Sequence, residues 1–204
     1  MLIKVFALLS MSVVAGVAQP LTFGVRAGSS LTDFFSFEHN YAHFAFVNNS
    51  KGYVLGPMFE LRLPFGFGFE VDALYRHGAW RLAEVNGFTW SGSANSWQFP
   101  LLAKYRFPAR AIRPCLDAGF AYDKLTGVSE SVVQSFGNVA SPARVGSRVG
   151  KGLVLGAGLD IKAVLHFSPE LRFTRWGGSQ YQDQYYDRVR ASRNQIQVLL
   201  GLAF

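Results

Sequence analysis

The chain has a single cysteine, few acidic residues and no long apolar run beyond its first residues. Cys115 has no partner among the 204 residues, so an internal disulfide is excluded. After the N-terminal segment, no stretch reaches the roughly 20 apolar residues that a membrane-spanning helix needs without meeting a charge. Long runs of Ala, Glu, Lys and Leu are missing as well. A membrane protein without spanning helices has a closed β-barrel as its remaining solution.

The first 18 residues predict an export signal. Lys4 precedes a mostly apolar run at residues 5–17, and Gly16-Val17-Ala18 supplies the small residues of a cleavage site. The run is too short to span a membrane as a helix. We expect cleavage after Ala18, which leaves residues 19–204 as one barrel domain.

Eight later segments alternate apolar and polar residues, as strands with one lipid-facing side and one interior side do. The last segment is the clearest, because Ile196, Val198 and Leu200 share one face that ends on Phe204. Its other face is mostly Gln, Gly and Ala, with Leu199 as an apolar exception. An aromatic content of 15% and 21 glycines are also typical of barrels. The predicted segments are 21–28, 52–63, 67–76, 97–107, 114–123, 152–162, 165–174 and 194–204.

The connections between these segments alternate between long and short. The long ones are 29–51, 77–95, 124–150 and 177–193, and the short ones are 64–66, 108–112 and the region near Ala163. Bacterial outer membrane barrels have long outer loops and short periplasmic turns, whereas a soluble β-sandwich has no reason to sort its loops in this way. The sequence therefore predicts an all-β, eight-stranded, antiparallel up-and-down transmembrane β-barrel in the outer membrane of a Gram-negative cell. Prolines inside strands are expected at bulges or at positions without a ladder hydrogen bond; they are Pro57, Pro100, Pro114 and Pro169.

The interior positions of these strands carry as many acidic as basic side chains, seven of each. An eight-stranded barrel has an interior about wide enough for its own side chains, and charges enclosed there must be paired. Equal numbers predict a packed ionic core that plugs the barrel, whereas an ion-selective pore more commonly carries one sign in excess. The predicted interior network is Arg26, Glu60, Arg62, Glu70, Asp72, Arg76, Lys104, Arg106, Asp117, Asp123, Asp160, Lys162, Glu170 and Arg172.

The net charge of +7 then comes mainly from residues in or beside the predicted outer loops. A basic rim at that level faces the phosphates of lipopolysaccharide, to which Arg offers charge-assisted hydrogen bonds. A solvated loop surface with a basic bias is an equally good interpretation. Outer membrane lipids and lipopolysaccharide are the expected partners, and nucleic acid is not, since the chain is exported and has no recognised binding motif. The rim residues are Lys51, Lys124, Lys151, Arg175 and Arg193.

Motifs that would indicate a cofactor, a metal or a catalytic site are weak. Gly150-Lys151-Gly152 fits neither phosphate-loop nor dinucleotide spacing, and the pair of His39 and His43 has no third ligand, so neither cofactor nor metal is predicted. His166 and Ser168 lie two residues apart on one face, a spacing similar to the His-x-Ser of outer membrane lipid A deacylases. That family has an asparagine where this chain has Pro169, and both side chains are expected to point inward, away from acyl chains. The hydrolase is therefore the minority interpretation, and we expect no enzyme.

Two stretches resemble the small outer membrane protein β-barrel family, which is related in architecture to OmpX and OmpA. They are Gly-Ala-Gly-Leu-Asp-Ile-Lys at 156–162 and Pro-Glu-Leu-Arg-Phe-Thr-Arg-Trp at 169–176. The resemblance implies insertion by the barrel-assembly machinery, which recognises a last strand that ends in an aromatic residue, here Phe204. Known members are structural, adhesive or host-interaction proteins, and the shared fold does not choose among them.

The function expected from the sequence is that of a non-enzymatic barrel with a plugged interior, which acts as an envelope stabiliser or a binding surface through four long outer loops. The alternatives are a narrow solute channel and, less favoured, the lipid A deacylase. The ligand of the loops is not identified by the sequence.

Overall fold

We analysed a computed structural model of the chain, which describes residues 21–32, 35–37, 44–84, 89–109, 111–134, 137–140, 149–162, 166–177 and 189–203. The predicted export signal, residues 1–18, therefore lies outside the described residues, as do His39, His43 and Phe204. None of the helices among the described residues has the length and hydropathy required to cross a membrane.

The chain forms a closed antiparallel β-barrel of eight staves, which confirms the fold predicted from the sequence. The staves are β1, β3, β4 with β5, β6, β7, β9, β10 and β12; β1 pairs with both β3 and β12, which brings the first and last staves together. Short strands β2 and β11 pair with each other, and β8 pairs with β7. The strands are β1 (Leu21–Ser30), β2 (Phe35–Phe37), β3 (Phe44–Arg62), β4 (Phe67–Asp72), β5 (Leu74–Glu84), β6 (Thr89–Arg106), β7 (Ile112–Gln134), β8 (Gly137–Ala140), β9 (Val149–Lys162), β10 (His166–Trp176), β11 (Val189–Ala191) and β12 (Asn194–Ala203).

The stagger of the staves follows from the residue pairs. A path that begins at Cys115 and steps from partner to partner returns to β7 at Leu125, an offset of 125 minus 115, or ten residues. This offset is the shear of the barrel, and it tilts the strands against the barrel axis. The intermediate residues on the path are Gly158, Glu170, Leu199, Gly28, Val54, Arg76 and Ser96.

Alternation along the staves sorts the side chains as predicted. In β4, for example, Phe67, Phe69 and Val71 are exposed on the outer wall while Glu70 and Asp72 are buried inside. Because successive side chains of a strand point to opposite faces, one register places a whole apolar set in contact with lipid. The outer wall is therefore apolar and the interior is rich in charge.

Four predicted boundaries were wrong, because strands run deep into the segments that composition marks as loops. The predicted loop 77–95 is largely a hairpin, in which β5 and β6 pair from Leu74↔Gln98 to Ala83↔Thr89. β3 begins at Phe44 instead of near 52, and β7 continues to Gln134. Beyond the bilayer an apolar face is no longer required, so these extensions lack the alternation that reveals the rest of each strand. We call this end of the barrel the hairpin end, and the opposite end the turn end.

The stave predicted at 67–76 is divided at Ala73 into β4 and β5, and Pro57 lies opposite the break. The Ala73 amide donates to the Pro57 carbonyl at 3.0 Å, but proline has no N–H with which to return a bond. A side chain at Gly56 would collide with the Ala73 carbonyl oxygen, so glycine is required beside the break. At the turn end, Pro64–Gly66 forms a tight turn in which Phe65 and Gly66 have φ of 63° and 87°.

Candidate functional site

The middle of the barrel interior holds a cluster of charged side chains from four staves. Arg26 Nη1 lies 2.6 Å from Glu70 Oε1 and 2.9 Å from Glu170 Oε2. Arg172 Nη2 lies 2.7 Å from Glu170 and 3.1 Å from Glu70, so both guanidinium groups bridge the same two carboxylates. Each of these side chains is at most 2% exposed. We call this set the central cluster: Arg26, Glu70, Asp72, Lys104, Glu170 and Arg172.

Glu70, like Glu170, has three cationic partners within the central cluster. Besides the two arginines, Lys104 Nζ lies 2.5 Å from its Oε2. Asp72 accepts from Arg172 at 2.9 Å and lies 3.4 Å from Arg26. Since the partners come from β1, β4, β6 and β10, the pairs tie together staves on opposite sides of the interior. Removing one member of such a buried network leaves the charges of its partners uncompensated.

A second ionic group lies nearer the turn end. Glu60 pairs with Arg106 and with Arg62, the latter at 3.2 Å, and Arg106 also donates to Asp160 at 2.9 Å. His166 Nδ1 lies 3.4 Å from the other oxygen of Asp160. These residues, expected from the sequence to lie inside, are thus brought together in the same interior.

A mostly neutral layer covers the central cluster on the hairpin side. Its apolar part includes Val54, Leu74 and Leu199, each at most 1% exposed. Leu199, which breaks the polar face of the last strand, therefore packs against other apolar side chains inside the barrel. On the other wall Leu102, Ala121, Val154 and Trp176 form a second apolar group.

A chain of amides joins this layer across the barrel, and it was not predicted from the sequence. Gln98 Nε2 donates to Gln195 Oε1 at 3.1 Å, and Gln197 Nε2 donates to Gln98 Oε1 at 3.3 Å. Trp176 Nε1 also donates to Gln195 Oε1 at 3.0 Å. Glutamines at interior positions of the alternating strands were the available signal for these hydrogen bonds. The sequence could not show which glutamines meet, because the bonded residues are 97 and 99 positions apart.

Arg76 and Asp123 are the interior charges nearest the hairpin end. Both are buried, and Asp123 is near enough to Arg76 to interact with it electrostatically. The interior is therefore filled in layers along the barrel axis: an ionic group, the central cluster, a neutral layer, and this last pair.

The enclosed charges do not balance, in contrast to the expected seven against seven. Lys162 is exposed at the turn end of β9 and contributes no ion pair to the described interior. Six cations then face seven carboxylates. Asp117 is the carboxylate left over: it is 4% exposed, and neither of its oxygens has a hydrogen-bond partner. It lies against Gly156, where a larger residue would collide with it.

The outer wall at the hairpin end carries a row of cations, one on each of four neighbouring staves. Lys124, Lys151, Arg175 and Arg193 are exposed on β7, β9, β10 and the approach to β12. The Gly177 amide donates to the Lys151 carbonyl at 2.9 Å, and the Trp176 amide to the Arg193 carbonyl at 2.8 Å, which fixes their heights relative to β10. We call these four residues the basic rim. Lys51, also expected there, lies in β3, but its side chain is not among those described.

Aromatic side chains lie at the same height as the basic rim on the other half of the outer wall. Tyr53 and Tyr75 have ring centroids 6.3 Å apart, and Tyr75 meets Trp97 at 5.5 Å. Phe99 then meets Tyr122 at 6.5 Å. Aromatic rings of this kind favour the interface between hydrocarbon and headgroups. The hairpin end of the wall thus has an aromatic half and a cationic half.

His166 and Ser168 do not form a nucleophile and base in this structure. Ser168 Oγ has no hydrogen-bond partner, and His166 faces Asp160 instead. Ser168 lies in the interior against Gly201, away from the lipid-facing wall. The hydrolase interpretation therefore gains no geometric support from the described residues.

Comparison with known proteins agrees with the fold. The model of the family described as "Outer membrane protein beta-barrel domain" matches residues 3–204. No curated protein sequence matches the chain.

Solved structures of small outer membrane proteins are similar in shape. OprG from Pseudomonas aeruginosa is 12% identical, with 90% of this chain and 96% of that chain covered and a TM-score of 0.54. Ail of Yersinia pestis, solved in complex with the heparin analogue sucrose octasulfate, is 13% identical, with 91% and 100% covered and a TM-score of 0.46. Neisserial surface protein A is 14% identical, with 90% and 96% covered and a TM-score of 0.42. At 12% identity, the likeness to OprG concerns the fold alone.

Proposed function

The chain belongs to the outer membrane protein β-barrel family, and on that premise we propose that it is a non-conducting structural protein of the outer membrane. Its hairpin end projects outward and offers a surface for envelope or external partners, and its basic rim contacts lipopolysaccharide. Long connections on the outer side and short turns on the periplasmic side are the usual arrangement in such barrels. Insertion by the barrel-assembly machinery, guided by the terminal Phe204, belongs to the same proposal.

The central cluster is the observation that carries this function. Its two arginines bridge carboxylates from different staves, and nearly all of its side-chain surface is buried. An ion that crosses the barrel has to displace these groups and then pass the layer of glutamines and apolar side chains. Removing one partner of a buried pair costs about 3–5 kcal/mol because the other charge is left uncompensated, and an ion that separates the pairs of this cluster meets the same kind of penalty.

Conductance in planar lipid bilayers tests the proposal. We expect the purified chain to insert without sustained openings. The double variant Arg26→Ala/Arg172→Ala removes both bridging guanidinium groups and is expected to give ion-conducting events. The matched control Lys124→Ala/Lys151→Ala removes two charges from the outer wall and is expected to stay silent. A difference in gel mobility between unheated and heated samples verifies that each variant is folded.

Sustained ion-selective openings of the unaltered chain would contradict a plugged interior. The narrow channel is then the function that the barrel performs. Silence of the unaltered chain together with conductance of only the interior double variant would assign the closure to the central cluster.

A further inference from the structure

A groove of about 610 Å³ lies on the outer wall at the hairpin end. Leu101, Phe120 and Leu153 form part of its floor and are 55%, 68% and 57% exposed. Lys151, Arg175 and Arg193 also line it. It therefore combines an unusually exposed apolar surface with three of the four cations of the basic rim.

Strand register explains how the two chemistries meet. Leu101 pairs with Phe120, Phe120 with Leu153, and Leu153 with Arg175, so one row across four strands changes from apolar to cationic. Lys151 lies two residues from Leu153 on the same face of β9, toward the hairpin end. The cations thus border the floor on one side and on the end that faces away from the turn end.

Among the side chains that the structure describes, the charges on this wall are all positive. Every Asp and Glu whose side chain the structure describes is buried in the interior, whereas the basic rim is exposed. No ion pair joins Lys151, Arg175 or Arg193 to another described residue. Arginine and lysine left in this state bind phosphate well, arginine often through two parallel hydrogen bonds.

A ligand that fits both parts has an anionic head and a hydrocarbon chain. A free anion leaves the apolar floor uncovered, and an uncharged lipid leaves the cations without a partner. We infer that the groove binds one molecule of a phosphorylated glycolipid of the outer leaflet, with a phosphate between Lys151, Arg175 and Arg193 and an acyl chain over Phe120 and Leu153. The inference rests on the proposed function, since it specifies the proposed contact between the basic rim and lipopolysaccharide and requires the hairpin end to lie in the outer leaflet.

Native mass spectrometry of the full chain in detergent micelles tests the site, with bisphosphorylated lipid A and dephosphorylated lipid A as probes. We expect one copy of the phosphorylated lipid to remain bound. The double variant Lys151→Ala/Arg175→Ala is expected to weaken binding about fivefold per cation removed. Arg113→Ala/Lys162→Ala, which removes two cations at the turn end, is the charge-matched control and is expected to keep the affinity.

The floor is tested separately. Phe120→Ala is expected to weaken the same complex severalfold, and Phe69→Ala, an equally outward residue on β4, is expected to have no effect. Equal binding of dephosphorylated lipid A, equal loss in the turn-end control, or displacement of the lipid by millimolar inorganic phosphate would each overturn the site. These results do not depend on conductance, so a chain that conducts yet binds the lipid refutes the proposed function without refuting the groove.

Discussion

The interior and the outer wall of the barrel use charge in opposite ways. Inside, the acidic and basic side chains of the central cluster lie within hydrogen-bonding distance of several partners and have almost no contact with solvent. On the outer wall the four residues of the basic rim are exposed, and none is joined by an ion pair to a described residue. The same residue types therefore have two different physical roles in one small protein.

The two sets of charges differ in what they can offer a ligand. Buried charges that satisfy each other are fixed by geometry and have little left to offer a ligand. Exposed cations repel each other only weakly in water, and binding an anion gives them a favourable electrostatic interaction. In the function that we propose, the interior charges hold the barrel closed and the basic rim is the surface that binds a partner.

Removing a member of the central cluster should have the largest effect on stability. Glu70→Gln leaves Arg26, Lys104 and Arg172 around a neutral amide, and we expect the free energy of unfolding to fall by about 3–5 kcal/mol. Urea titrations in lipid vesicles, followed by tryptophan fluorescence, measure this change. A loss below about 1 kcal/mol would show that the interior charges do not hold the staves together, and the comparison would lose its first half.

Asp117 is buried like the central cluster but lacks its hydrogen bonds. The Asp117→Asn variant keeps the shape, removes the excess negative charge, and is expected to raise the free energy of unfolding by about 1 kcal/mol. Burial and the nearby Glu170 disfavour the negative charge of Asp117, and the attraction of Lys104 and Arg172 does not fully offset them. The same urea titration measures the change in the free energy of unfolding, with Glu70→Gln as the contrasting variant. A loss as large as that of Glu70→Gln would mean that the attraction of Lys104 and Arg172 outweighs the cost of burying the Asp117 carboxylate.

Much of this arrangement could be predicted from the sequence. Alternation alone placed Arg26, Glu70 and Arg172 inside and Phe69 outside, because a one-residue shift would expose every charge to lipid. Which charges meet could not be predicted. Arg26 and Glu170 are 144 residues apart, and their contact depends on the shear of the barrel, which is set by pairs summed around all eight staves.

The hairpin extensions escaped prediction for a different reason. Residues 91–96, Ser-Gly-Ser-Ala-Asn-Ser, have the composition of a loop, yet they pair with β5 through backbone hydrogen bonds that depend little on side-chain type. The groove was also hidden, since Leu101, Phe120, Leu153 and Arg175 become neighbours only when the register of four strands is known. The rim residues themselves were identified from charge, but their separation into a cationic half and an aromatic half of the wall was not.

The smallest effect on the free energy of unfolding is expected at the basic rim. Lys151→Ala/Arg175→Ala removes two charges, the same number as the interior variant Arg26→Ala/Arg172→Ala. Both rim side chains, however, are exposed and have no described ion pair to lose. We therefore expect the free energy of unfolding in zwitterionic vesicles to change by less than about 0.5 kcal/mol. Vesicles that contain phosphorylated lipid A should separate the two chains, because a ligand that binds only the folded barrel adds stability that the variant cannot gain. A variant that is equally destabilised in both vesicles would show that the rim is structural, and the division between a binding exterior and a supporting interior would fail.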